Sequence, residues 1–332
     1  MKTNLPPQYA YRADAGEAAY VERALLYVET ETYNYEFPPL EGRKYVPYDT
    51  SSNPGAKATS YKQYTRVGIA KLHTERGNDL PNVKLFVREF FHQYYRIGCS
   101  YEYTLDDLLA AQFSSQNGGP KLDLDLEQGQ AARTAIERGL DVISAIGSTN
   151  SASIPGLSVG IGPDVGLLGL LNQPNATVYT PAVSLAAGTT PWQYKSPDEK
   201  VADLTGLFTA VIATTFKTFQ VNTVLLPIQQ FYAANGQRMG DGSDETVLSF
   251  FRKINPAMVI DCWQYCAGAG IGGTDRAVGY VRDRRYVRHM ISDEFRQMPP
   301  EWSNLTFSVD CTAKTAGVVC PYPLAICYMD GI

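Results

Sequence analysis

Apolar residues recur at three- and four-residue steps through residues 122–147, LDLDLEQGQAARTAIERGLDVISAIG. Ala132, Ala135, Ile136, Leu140, Ile143 and Ile146 form the stripe, which predicts one long helix facing a core. Arg133 with Glu137, and Arg138 with Asp141, are spaced to pair on the helix surface. Asp123 or Asp125 is placed to cap the start and Gly147 to supply a left-handed stop. Gly129 and Gly139 each weaken such a helix by about 1 kcal/mol relative to Ala, so tertiary packing must hold it. On periodicity alone the segment reads as an ordinary core helix.

The pattern changes on either side. Residues 1–50 hold a short helical candidate at 16–30 between proline-rich flanks and are expected to form an arm that buries little by itself. Residues 61–73, YKQYTRVGIAKLH, and 83–103, VKLFVREFFHQYYRIGCSYEY, are β-branched and aromatic, with turn residues Gly77, Asn78 and Pro81 between them. They predict a long hairpin, and a two-stranded hairpin is marginal in water unless something packs along it. Thr104 then caps a short helix, LDDLLAAQF. Residues 148–175 are rich in Gly, Ser and Pro and mark the expected domain boundary. Beyond them, Ser196-Pro197-Asp198-Glu199 is a capping box ahead of the stripe Val201, Leu204, Leu207, Phe208, Val211 and Ile212. A strand at 221–227, helices at 228–234 and 244–254, and strands at 258–265 and 277–282 complete an α/β unit. The C-terminal segment returns to strands at 305–309, 317–319 and 324–328.

Composition narrows the function. Of 332 residues, 44% are hydrophobic, enough for a large core. Only 19% are charged, against about 25% in ordinary domains, and 22 are Tyr. Few charges and many tyrosines fit a surface that meets other protein, and fit a merely Tyr-rich β-protein nearly as well. A net charge of −5 argues against a general nucleic-acid binder. No apolar run approaches the roughly 20 residues of a membrane span, and the first twenty residues lack a signal-peptide core, so the expectation is a cytoplasmic product with no removed leader. The six cysteines lack C-x-x-C spacing and are expected to be small buried residues.

Candidate chemistry is sparse. The run Gly268–Gly273 satisfies G-x-G-x-x-G, but a dinucleotide site needs a helix to begin there, and the following residues are strand-like. His73, His92 and His289 are too scattered in sequence for a metal trio. The acidic pairs Asp106-Asp107, Asp198-Glu199 and Asp293-Glu294 are expected at helix starts or surface turns. The dense cationic patch is Arg282, Arg284 and Arg285, with Arg288 beyond. No catalytic, cofactor or metal residue is assigned.

Taken together, VGIAKLHTERGNDLPNV, SYEYTLDDLLAAQ, the long helix, SPDEKVADL, ETVLSFFRKIN, FRQMPPE and the terminal KTAGVVCPYPLAICYMDGI resemble the major capsid proteins of tailed bacteriophages over residues 46–332. The resemblance implies an α+β chain with the Hong Kong 97-type capsid fold and no enzymatic role. It implies an N-terminal arm (1–50), an extended hairpin loop (51–103), a peripheral domain with a spine helix (104–179), an axial domain (180–284) and C-terminal strands returning to the peripheral domain (285–332). The implied partners are copies of the chain in pentamers and hexamers of an icosahedral shell around genomic DNA, together with a separate scaffold protein, a portal and a decoration protein. His73, Glu75, Arg76, Asn78 and Asp79 at the hairpin tip, and Arg282, Arg284 and Arg285, are the expected inter-subunit contacts. Rival readings are an encapsulin-like compartment shell, a tail or decoration protein, and a nucleotide-dependent oxidoreductase using Gly268–Gly273.

Overall fold

The computed structural model describes residues 38–72, 80–116, 124–148, 165–240, 242 and 244–332. Its elements run α1 (Gly42–Tyr45), β1 (Tyr48–Asp49), β2 (Ala58–Val67), β3 (Lys84–Gln93), β4 (Tyr95–Thr104), α2 (Leu105–Gln116) and α3 (Leu124–Ile146). There follow β5 (Thr177–Tyr179), α4 (Pro197–Thr214), β6 (Thr223–Leu226), α5 (Ile228–Gly236), α6 (Val247–Ile254), β7 (Val259–Cys262) and β8 (Arg276–Tyr280). The chain closes with β9 (Arg288–Gln297), β10 (Glu301–Ser303), β11 (Thr306–Val319) and β12 (Ile326–Asp330).

Three sheets organise these elements. The first is built around β11, which pairs antiparallel with β4 on one side and with β9 and β10 on the other, while β1 extends β9 in parallel. The long helix α3 lies on it, burying Ala132, Ile136 and Leu140 against Tyr101, Tyr103, Val309, Cys311 and Ala313. The second sheet has the order β5-β12-β8-β6-β7. Its strands alternate as period two requires. Leu225, Val278, Tyr280, Ile326 and Tyr328 face the end of α3, whereas Val224, Leu226, Ala277, Cys327 and Met329 face α4 and α6. The third is the antiparallel pair β2–β3.

The long helix matches its sequence pattern, with two differences. Arg133 and Glu137 pair at 2.9 Å on the surface, but Asp141 is buried and accepts from the Gly42 N–H instead of lying in a surface pair. Ala135 is exposed. Gly147 does take the left-handed conformation, at φ 70°. The α4 capping box forms, Ser196 accepting from the Glu199 N–H and Glu199 from the Ser196 N–H. Helix α6 starts later than its acidic residues imply, because Thr246 and Ser249 form the cap.

Several boundaries shift where tertiary pairing overrides local pattern. The run at 83–103 is two strands separated at Tyr94: β3 belongs to the hairpin, and β4 to the first sheet. Residues 42–49 join the core through Gly42, Tyr45, Val46 and Asp49, which are buried, with the Tyr45 hydroxyl donating to the Cys262 carbonyl at 2.8 Å. The end of the Gly-rich connector is packed: Leu167, Leu170 and Leu171 are buried, and the Leu170 N–H bonds the Ser144 carbonyl at 2.9 Å. The C-terminal strands divide, since β9 and β11 build the first sheet while β12 enters the second between β5 and β8. Asp293 and Glu294 lie within β9, not at a turn. The helix expected at 16–30 lies outside the described residues.

Candidate assembly surface

The hairpin β2–β3 has a fixed root and a bare stem. At the root, Tyr61 and Ala56 pack against Tyr94, Met290, Ala316 and Val319. Lys314 of β11 reaches across to the carbonyls of Pro54 and Ala56 at 2.9 and 2.5 Å. The Tyr94 hydroxyl donates to Ser52 Oγ at 2.6 Å. Tyr61 stacks on Phe90 with ring centroids 5.2 Å apart. Beyond this clamp the strands pair in register from Ala58↔Gln93 to Val67↔Lys84, with no third layer over them among the described residues.

The stem carries apolar side chains on both faces. Leu85, Val87 and Phe91 point one way along β3, and Phe86 and Phe90 the other; Phe86 is 52% and Phe91 69% exposed. Tyr64, Val67, Ile69, Leu80 and Val83 extend the exposed apolar surface towards the tip. A strand that is apolar on both faces is normally covered on both. Burying one Leu, Val or Phe is worth about 1.5–3 kcal/mol, so surface of this kind drives association when a matching partner is present. These stem residues were missed among the contact residues expected from sequence. Their signal was the broken alternation in VKLFVREFF, which no one-sided sheet would produce.

The expected contact residues fare differently. His73, Glu75, Arg76, Asn78 and Asp79 lie outside the described residues. Arg282, Arg284 and Arg285 sit together after β8, yet they do not form a free cationic patch. Arg284 pairs with Asp49 of the same chain at 2.5 Å, and Arg288 lies 3.9 Å from the other Asp49 oxygen. Burial raises the Asp49 carboxyl, but hydrogen bonds from Ser51 and Arg284 outweigh it and hold Asp49 below the ordinary carboxylate range. The Arg285 guanidinium lies 5.9 Å from the centroid of the Tyr286 ring, and the Arg282 backbone N–H donates to Asn222 Oδ1, which fixes the turn and leaves the Arg282 and Arg285 side chains exposed. The patch is therefore partly internal, a turn that locks β1 to the start of β9.

The glycine loop does not cradle a phosphate. Gly268, Gly272 and Gly273 have positive φ, and the loop makes a single 3-10 turn at Ile271–Gly273 where a dinucleotide site needs an α-helix. The Gly268 N–H is held by Asp275 at 3.0 Å, the Gly270 N–H by the Thr274 carbonyl at 2.7 Å and the Ile271 N–H by Asp330 at 3.3 Å. Two carboxylates occupy the place where pyrophosphate would have to approach, which repels an anion. The oxidoreductase reading fails on this geometry. Among the described residues no cluster of His, Cys, Asp or Glu is arranged to hold a metal, and no helix is long and apolar enough to cross a membrane.

Among curated proteins none matches the chain. Among solved structures, the capsid of Myoviridae phage XM1 is similar with a TM-score of 0.74 at 17% identity, covering 93% of this chain and 98% of that one. The capsid of a native GTA particle gives a TM-score of 0.62 at 10% identity, over 96% and 98% of the two chains. A chain from Mycobacterium phage Bobi gives 0.59 at 14% identity, over 96% and 98%. Similarity at such identities establishes the fold, the Hong Kong 97-type fold of phage capsid subunits. The family model described as Major capsid protein matches residues 68–332. On that match, which spans most of the sequence, the chain belongs to the major capsid protein family.

Proposed function

We propose that this chain is the principal shell subunit of a tailed-phage head, assembling with copies of itself into pentamers and hexamers of an icosahedral shell around double-stranded DNA. The observation that carries the reading is the hairpin stem, anchored at its root and apolar on both exposed faces. A subunit of a closed shell needs surfaces of this kind, which bury themselves in neighbours through head-to-tail contacts. Many modest contacts then add up, because each closing contact is intramolecular to the growing shell. The net charge of −5 suits an inner wall that holds packed DNA without gripping it.

In this reading β2–β3 is the extended loop that reaches over a neighbour. The sheet around β11 with α3 forms the peripheral domain. The sheet β5-β12-β8-β6-β7 with α4, α5 and α6 forms the axial domain, whose outer edge meets its counterparts around five-fold and six-fold axes. The tip residues His73, Glu75, Arg76, Asn78 and Asp79, together with Arg282, Arg284 and Arg285, contact adjacent subunits. The product resides in the virion after assembly in the host cytoplasm, with a separate scaffold protein, a portal and a decoration protein as partners.

Electron microscopy of the purified chain, expressed with and without the scaffold of its own genome, tests the proposal. Closed shells of uniform diameter are expected; a stable small oligomer under every condition would contradict it. Shortening residues 74–82 should abolish shells while leaving the circular dichroism of the subunit unchanged, and normal shells from that variant would remove the hairpin from the account.

A further inference from the structure

Where β11 begins, the first sheet ends in a surface that is apolar at its centre and acidic at its rim. The Leu105 N–H bonds the Leu305 carbonyl at 3.0 Å, which sets the start of α2 against the β10–β11 turn. The Tyr101 hydroxyl donates to Asp125 at 2.9 Å and brings in the start of α3. Leu109, Leu126, Trp302 and Leu305 are each more than half exposed at this end. Glu301, Ser308 and Glu102 stand in one register row across β10, β11 and β4, with Asp310 two residues beyond Ser308 on the same face. Asp106, Asp107 and Glu127 add further exposed carboxylates. The segments that build this end, 97–116, 124–132 and 298–313, contain no Lys or Arg. Asp106 and Asp107 suit a helix start, but Glu102, Glu301 and Asp310 have no such role, and like charges on neighbouring strands repel.

The hairpin stem carries the opposite sign. The face with Phe86 and Phe90 also presents Lys84 and Arg88, and the β2 positions beside them, Tyr61, Gln63, Thr65 and Val67, add no acid. Glu89 is the one acid of β2 and β3; it lies on the other face, opposite Lys62, and accepts from the Ser60 hydroxyl. The stem and the acidic end do not meet within one chain. The root is held by Lys314, Ala316 and Val319 towards the end of β11, and β4 runs from there to the acidic end. The hairpin, which precedes β4, therefore leaves the sheet at the opposite side.

We infer that the stem of one copy lies with its Lys84 and Arg88 face against the acidic end of the first sheet of a second copy. The inference rests on the proposed function and deepens it by naming the surface that receives the stem. The contact joins two different surfaces, so it repeats head to tail and closes into rings. Phe86 and Phe90 meet the apolar centre, while opposite charges at the rim fix the register. The same charges reject a stem-to-stem pairing, in which Lys84 and Arg88 would face their own counterparts.

The test treats assembly products of the full chain with a carbodiimide, which joins an amine to a touching carboxylate with loss of one water, and maps the linked peptides by mass. Mixing isotope-labelled and unlabelled chains before assembly separates links between copies from links within one. The expected result is Lys84 joined to Glu102, Glu301 or Asp310 of a second copy, absent from Lys84→Arg. Shells in which Lys84 is unlinked, or linked elsewhere, would overturn the inference and leave the capsid reading standing. The expected link in oligomers that never close would keep the contact and overturn the capsid reading. Charge reversal is the second readout: Lys84→Glu with Arg88→Glu should lose shells, and adding Glu102→Lys with Glu301→Lys should restore them, at matched circular dichroism. Shells of native yield from the first pair, or no recovery with the second, would count against the contact.

Discussion

Strands β3 and β6 draw on the same residue types and meet opposite fates. In β6, Thr223–Leu226, all four side chains are buried, because α4 and α6 cover one face and the end of α3 the other. In β3, Lys84–Gln93, a comparable run of Leu, Val and Phe stays open to solvent along the stem. Local propensity cannot account for the difference, since both form regular strands. What differs is whether the described residues supply the covering layers. The α/β unit closes its own core; the hairpin has a clamp at one end and faces that no other described residue covers, which the proposed function assigns to neighbouring subunits.

That contrast can be broken by mutation. Phe251 is fully buried between α4 and α6, and Phe251→Ala is expected to lower subunit stability by about 3–5 kcal/mol in chemical denaturation. Phe91→Ser, on the stem, is expected to change it by less than about 0.5 kcal/mol. Comparable losses from the two variants would show that the stem packs within its own chain.

The junction between the two sheets gives the next largest effect. Gly169 lies so close to the Ala145 carbonyl that a methyl group there would overlap it. Gly169→Ala should cost about 1–3 kcal/mol, read as a lowered denaturation midpoint with unchanged secondary structure. A silent variant would mean that the packed end of the connector moves aside freely.

The glycines of α3 sharpen the picture in the opposite direction. An added Cβ would sit 3.7 Å from the Tyr101 hydroxyl at Gly129 and 3.5 Å from Ile97 Cδ1 at Gly139, ordinary contact distances. Each Gly→Ala change should therefore stabilise the subunit by up to about 1 kcal/mol. If the variants are stabilised yet particle size or maturation changes, the helix bends at these points in the shell; unchanged particles would identify a rigid strut.

The smallest effect is in pH dependence. Asp49 has a folded-state carboxyl held below its ordinary value, so its contribution is present above the unfolded pKa and lost as pH falls through the folded one. Asp141 runs the other way. Burial raises it despite the Gly42 N–H bond, so its contribution is present at low pH and lost as pH rises through the folded value. Asp49→Asn should lose stability towards neutral pH relative to the native chain, and Asp141→Asn should gain it, in denaturation series across the acid range. Parallel curves for all three proteins would contradict both assignments.

What was legible in the sequence followed the range of the physical signal. The capping box at Ser196 and Glu199 and the stripe of α3 act within a few residues, and both are found where the pattern places them. Strand β11 runs unbroken from Thr306 to Val319; its middle, DCTAKTA, alternates polar residues with the small inward Cys311 and Ala313, a weaker signal than a β-branched run, and pairing to β4 and β9 on both edges completes the strand. Residues 42–49 looked like an arm because their burial depends on Tyr280, whose hydroxyl donates to the Tyr45 carbonyl from 235 residues away. The tip residues drew attention by polarity, whereas the apolar stem was read as a strand in need of a neighbour without its side chains being singled out. Arg284 looked free because Asp49, its partner, is as distant in sequence as Tyr280 is from Tyr45.

The central claim is that the bare stem is covered by neighbouring subunits. It is tested most directly by electron microscopy of assembly products from the native chain and from a Phe86→Ser, Phe91→Ser double variant with matched circular dichroism. The account predicts closed shells from the first and folded, unassembled subunits from the second. Shells of native yield and diameter from the double variant would contradict it.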